Sequence, residues 1–207
     1  MKPGFHSLQL ALVLTPFLGW SQSTLEYDQQ TITADGSPGY GVGAGIDFYD
    51  SYSPWGQSFT PSLDAVGFIA LPMDDPTAGF GGATVWVNLM SGSVSGPVIG
   101  STEPINLTGG FNGTFYFYFP TAVAVTPGVQ YYFTAEEAFG GTGVNIVSSF
   151  SDYPGSIYEN GVPVYPGTSI FFREGIVVPE PASTVLVLLG IGALALFRGA
   201  QWKLDTS

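Results

Sequence analysis

The chain has 207 residues, a formal net charge of −12, no cysteine and one histidine, with hydrophobic residues at 45% and charged residues at 10%. So acidic a chain is a poor partner for nucleic acid, whose phosphates call for Lys and Arg. The lack of cysteine removes disulfides and thiolate metal sites, while 15% aromatic residues point to a packed core rather than disorder. At the start, Lys2 precedes the apolar run Leu8 to Trp20, and small residues follow at Ser21 and Ser23. A basic head, a short apolar run and small residues before a cut make residues 1–23 a secretory signal peptide, cleaved after Ser23 or alternatively after Ser21. A buried core helix is the competing reading, and Pro16 together with the terminal position speaks against it.

Residues 24–177 are expected to form one all-β extracellular domain, long enough for its own core. They hold 14 Asp and Glu against a single basic residue, Arg173. Helical periodicity is absent; short β-branched and aromatic runs are cut by Gly, Pro, Asn and Asp. Gln57 to Thr60 reads as a strand closed by Pro61, and Leu63 to Leu71 as one closed by Pro72. Ala83 to Met90 alternates: Ala83, Val85, Val87 and Leu89 face one way and Thr84, Trp86, Asn88 and Met90 the other. Thr114 to Phe119 sets Phe115, Phe117 and Phe119 against Tyr116 and Tyr118. Val129 to Ala135 sets Val129, Tyr131 and Phe133 against Gln130, Tyr132 and Thr134. Weaker strands cover Val98 to Ser101, Asn145 to Ser149 and Ser169 to Arg173, and Asn160-Gly161 is a turn signal. Many short strands separated by turns predict an antiparallel β-sandwich or jelly roll.

The chemistry open to this domain is narrow. The only histidine, His6, lies in the signal peptide, and Lys is absent from the mature domain. Ser-His-Asp, Cys-His, zinc-histidine and Schiff-base chemistry therefore have no residues to work with. Gly39-Tyr40-Gly41-Val42-Gly43 has no lysine after it and reads as a loop, not a phosphate cradle. Carboxylates remain. Glu136-Glu137 and Asp74-Asp75 are adjacent, and neighbours on a strand point to opposite faces, so a carboxylate-dependent glycoside hydrolase is a distant alternative. Calcium would draw on Asp47, Asp50, Asp74, Asp75 and Asp152, though no spaced motif selects a set. No cofactor is expected. Trp86, Tyr116, Tyr118 and Tyr132, opposite the expected core positions, are candidate glycan contacts, with Asn88 and Gln130 as hydrogen-bond partners. The competing reading is that loops cover these faces and that Tyr is simply a good strand residue.

Residues 178–207 are a separate tail. Val178-Pro179-Glu180-Pro181 is forced into an extended form by its two prolines. Ala182 to Phe197 is an unbroken apolar run of 16 residues, about 24 Å long as a helix. That is short for the ~30 Å hydrocarbon core, a mismatch of modest cost. It is expected to be one transmembrane helix. Arg198 and Lys203, in the tail 198–207, act as a cytoplasmic stop.

This order of a Pro-Glu-Pro element, an apolar span and a basic end resembles the PEP-CTERM sorting tail of bacterial exported proteins. The resemblance implies that Pro179, Glu180 and Pro181 are recognised by an exosortase, a membrane-embedded transpeptidase, and that the exported part passes to the cell surface or extracellular matrix. The family usually ends in a tight cluster of Arg and Lys, whereas here Gly199 to Trp202 separate Arg198 from Lys203. Residues 55–135, through QSFTP, LDAVGFIAL, ATVWVNLM, GPVIGST, TFYFYFP and VTPGVQYYFT, look like the jelly-roll modules of secreted bacterial proteins, related in shape to carbohydrate-binding modules. The expected protein is exported, sorted to the surface or polysaccharide matrix, and structural or adhesive rather than catalytic. A glycan-binding module is the alternative. Its partners would be the export machinery, the exosortase, the membrane and extracellular polysaccharide.

Overall fold

The computed structural model describes residues 23–31, 44–47, 55–75, 82–138, 144–150, 153–159, 161–164 and 168–179. The signal peptide before Ser23, Gly39 to Gly43, Asp50, Asp152, Asn160, Glu180, Pro181, the run Ala182 to Phe197, Arg198 and Lys203 lie outside the described residues. Among the described residues no helix is long and apolar enough to cross a membrane.

Fourteen strands are described: β1 (Ser23–Gln30), β2 (Ala44–Asp47), β3 (Trp55–Phe59), β4 (Ala65–Asp74), β5 (Ala83–Ser91), β6 (Val98–Ser101), β7 (Ile105–Leu107), β8 (Asn112–Ala124), β9 (Tyr131–Glu137), β10 (Asn145–Phe150), β11 (Ile157–Glu159), β12 (Val162–Val164), β13 (Thr168–Ile170) and β14 (Arg173–Pro179). They form two sheets. The first runs β1-β14-β4-β10-β13, with β8 on β4 and β2 on β10; the second runs β12-β11-β3-β9-β5-β6, with β7 on β5. Strands β3, β4, β5, β8, β9 and β10 alternate between the two sheets. Their pairings are therefore long-range, as a jelly-roll-like sandwich demands. The residues Leu25–Val178 form one compact unit.

The alternating patterns decide which side chains go inside. Ala83, Val85, Val87 and Leu89 of β5, Ile69, Leu71 and Met73 of β4, and Phe117 and Phe119 of β8 join one buried cluster with Trp55, Phe59, Phe133 and Phe172. Phe172 bridges the layers, its ring 5.2 Å from that of Phe133 and 6.1 Å from that of Phe59. Each such ring stabilises the fold by about 1.5–3 kcal/mol relative to exposure. Gln57 also points inward; its Oε1 accepts the Ile170 amide at 2.9 Å and its Nε2 donates to the Ser58 carbonyl at 3.0 Å. A buried amide thus stitches the two sheets with its polar atoms satisfied.

Several boundaries differ from expectation. β4 does not stop at Pro72 but reaches Asp74. Pro72 falls where the flank of β4 passes from β14, paired at Phe68–Ala70, to β10, paired at Met73–Asp74, so its missing N–H deprives neither neighbour. Likewise β8 continues through Pro120, which lies where the register slips between Phe68↔Tyr118 and Val66↔Val123. A bulge tolerates proline there. Val129 is not a core residue: it precedes β9, next to Gly128 with φ +78°, and is 47% exposed. The segment expected at Ser169–Arg173 divides into β13 and β14, and β14 extends to Pro179.

Candidate functional site

The candidate glycan contacts fall on two different outer faces. On the first sheet, Phe68 and Tyr118 are paired across β4 and β8, as are Ala70 and Tyr116. The bulge beside Val66 turns Phe68 outward, yet Phe68 is fully buried. It is roofed by Tyr27 of β1 at 5.6 Å, edge-on, Tyr116 at 5.8 Å and Tyr118 at 6.1 Å. The Tyr116 and Tyr118 rings are nearly parallel at 17°. Tyr27 and Tyr116 hydroxyls are hydrogen bonded at 3.1 Å, and the Arg173 guanidinium lies 5.2 Å over the Tyr27 ring. Tyr118 remains 45% exposed and Tyr27 39%. The hydrogen bond to Tyr116 holds the Tyr27 phenol above its ordinary value, and burial does the same for Tyr118. Both rings therefore stay neutral at physiological pH.

Trp86 and Tyr132 stand on the second sheet. Trp86, half-buried, faces Glu136 directly across β5 and β9. Beside it runs a polar row: Ser101 Oγ donates to Asn88 Oδ1 at 2.8 Å, and Thr134 Oγ1 donates to Glu136 Oε1 at 2.9 Å. Tyr132 is buried in a small second cluster with Met90 and Val94, against Tyr158, and its hydroxyl donates to Gln130 at 2.8 Å. The loop between β5 and β6 covers it. Gly56 beneath makes room, since a Cβ there would overlap a Val94 methyl. Tyr132 and Gln130 are thus engaged within the fold, and the four predicted aromatics form no common site. Tyr27 joins the roof from outside that predicted set. Its signal in the sequence is the alternation Leu25, Tyr27, Gln29 immediately after the expected cleavage point.

The carboxylates are dispersed. Glu136 points outward and Glu137, next to it on β9, inward with Ala135 and Phe133. Asp75 Oδ2 accepts the Gly110 amide at 2.8 Å. Among the described residues no group of three or more His, Asp or Glu is placed to hold a metal ion.

One carboxyl pair does meet, and no local pattern in the sequence points to it. Glu174, between the outward-facing Arg173 and Gly175, points into the sandwich and is fully buried. Its Oε1 accepts the Gln29 amide at 3.2 Å. Asp28 Oδ2 accepts the amides of Ser62 and Leu63 at 2.6 and 2.9 Å, and Oδ1 accepts the Ser62 hydroxyl. Burial, then the charge and carboxyl contact of Asp28, push Glu174 up to about 8. Burial alone would raise Asp28 too, but the donors on Ser62, Leu63 and Gln29 hold it below its ordinary value. Burial and the nearby Glu174 raise Tyr153 as well.

Residues 177–199 match the PEP-CTERM protein-sorting motif. Comparison with curated proteins found no match. The motif makes the chain an exported protein sorted through an exosortase, with a membrane-associated precursor bound for the cell surface. Val178 and Pro179, its first described residues after Val177, are the exposed end of β14.

Proposed function

We propose that the sandwich is a non-catalytic adhesive module that meets extracellular polysaccharide through the outer face of its first sheet. The observation that carries this reading is the roof of Tyr27, Tyr116 and Tyr118 over Phe68. Open aromatic rings with hydroxyls at their rims offer a sugar ring an apolar face and hydrogen-bond partners. The roof rests on two strands and a buried ring, so it is held before any ligand arrives, which lowers the cost of binding. The hydrolase reading has less support, because Glu136 and Glu137 diverge and Glu136 is engaged by Thr134 and Asn88. Calcium gains no support from the placement of Asp74 and Asp75.

The test is retention on immobilised extracellular polysaccharides. The parent should be retained, and Tyr118→Ala should weaken retention by about 1 kcal/mol, roughly fivefold in affinity. Trp86→Ala, on the other sheet, should leave it unchanged. Equal retention of parent and Tyr118→Ala, or loss only with Trp86→Ala, would overturn the reading.

A further inference from the structure

We propose that Asp28 and Glu174 form a proton-sharing latch that holds β1 against β14 and loosens as pH rises. The latch sits where the mature chain begins and where it leads into the sorting motif. β1 is an edge strand, and among the described residues β14 is its one strand neighbour. Besides the Tyr27 contacts and its ladder with β14, specific bonds hold it. Thr31 exchanges hydrogen bonds with Phe172, amide to carbonyl at 2.9 Å and amide to hydroxyl at 2.7 Å. Asp28 takes the amides at Ser62 and Leu63, and Gln29 meets Glu174. Gly175 lies so near the Glu26 carbonyl that a Cβ there would overlap it.

At the centre of these contacts two carboxyls lie together with no cation among the described residues to balance them. Arg173 is the only basic residue in 24–177, and it stands on the opposite face of β14, over Tyr27. The titratable groups facing Glu174 are Asp28 from β1 and Tyr153 from the segment before β11. Neither is a cation. Among the described residues no donor reaches Glu174 Oε2, although it is buried. An oxygen so placed is costly when ionised. It loses that cost when it carries the proton, while Asp28 beside it stays ionised, its oxygens already accepting from the Ser62 hydroxyl and from N–H groups of Ser62, Leu63 and Gln29. Two carboxylates this close cannot both ionise without repulsion.

The direction follows from linkage. Glu174 is raised in the docked state, to about 8 from an ordinary 4.5. The docked form therefore holds a proton that the undocked form releases throughout that interval. Docking is strongest near pH 4 to 4.5: above that it weakens as pH climbs and levels off above about 8, and below that protonation of Asp28, held under its ordinary 3.8 in the docked state, weakens it from the other side. Among the described residues, undocking β1 leaves β14 with its β4 pairing, registered at Arg173–Gly175. β14, which leads to Pro179, thus loses a neighbour as pH rises through neutrality.

Hydrogen exchange of the full chain in detergent tests this, corrected for the intrinsic pH dependence of exchange. Protection of the β1 amides, read against β5 and β9, should fall between pH 5.5 and 8, by up to tenfold per pH unit where the proton is fully linked. Glu174→Gln, which keeps the shape and a donor but cannot titrate, should abolish the fall. A flat wild-type profile, or an unchanged slope in Glu174→Gln, would overturn the proposal. Should that variant not fold, carboxyl carbon NMR of the wild type decides. Glu174 titrating well above the usual carboxylate range, with a coupled response at Asp28, supports the latch. Both groups ionised at pH 6 rejects it.

Discussion

The outer faces of the two sheets start from the same pattern and end differently. Both present aromatic side chains at outward positions of their strands, Tyr116 and Tyr118 on β8 and Tyr132 on β9. On the second sheet the short connection from β5 to β6 turns back over the strands. Its hydrogen bonds, Ser93 amide to Ser91 carbonyl at 3.0 Å and Gly96 amide to Ser93 carbonyl at 2.9 Å, hold Val94 down on Met90 and Tyr132. On the first sheet the aromatic rings cover one another instead. The burial there is achieved by Phe68, which the bulge in β4 rotates to the outside, and the upper rings remain available. The path of the neighbouring loop, rather than a strand's own alternation, decides whether outward tyrosines become structure or surface.

If the first face is held up by a buried ring, Phe68→Ala should be the most damaging change on either face. It removes a fully buried aromatic and should cost about 3–5 kcal/mol in urea denaturation. A loss under about 1 kcal/mol would mean that the tyrosines stand without it. Val94→Ala attacks the lid of the second face. The side chain is smaller and covers only a satellite cluster, so the cost should be roughly 1–2 kcal/mol, with Tyr132 becoming more reactive to tyrosine-modifying reagents. If the lid variant proved as damaging as the roof variant, the distinction between the two faces would fail.

Much of this was legible in the sequence, for identifiable reasons. The inward sets on β5 and β8 follow from strict alternation, and the tail could be read because proline, apolar length and terminal charge act locally. The strand ends could not be read as well. Pro72 and Pro120 are harmless only where neighbouring strands leave a gap or a bulge, and that depends on partners distant in sequence. The candidate site was half legible. Tyr116 and Tyr118 lie on the outer face as their pattern implies, while Tyr132 was lost to a loop whose path no periodicity encodes. Tyr27 and the meeting of Asp28 with Glu174 depend on the pairing of the first strand with the last, 145 residues apart at Gln29 and Glu174.

The smallest effect separates ring from hydroxyl on the open face. Tyr27→Phe keeps the edge-on contact with Phe68 and the ring beneath Arg173, and removes only the hydroxyl that meets Tyr116. That bond is exposed, so its loss should cost about 0.5–1 kcal/mol at most, a fall in Tm of roughly 1–4 °C. Retention on polysaccharide should drop less than in Tyr118→Ala, because the stacking surface survives. With its hydrogen-bond partner gone, Tyr116 should also become easier to modify. Were Tyr27→Phe instead to abolish retention with Tm unchanged, the hydroxyl pair rather than the rings would be the contact, and the face would be reading polar groups on its ligand rather than the flat side of a sugar.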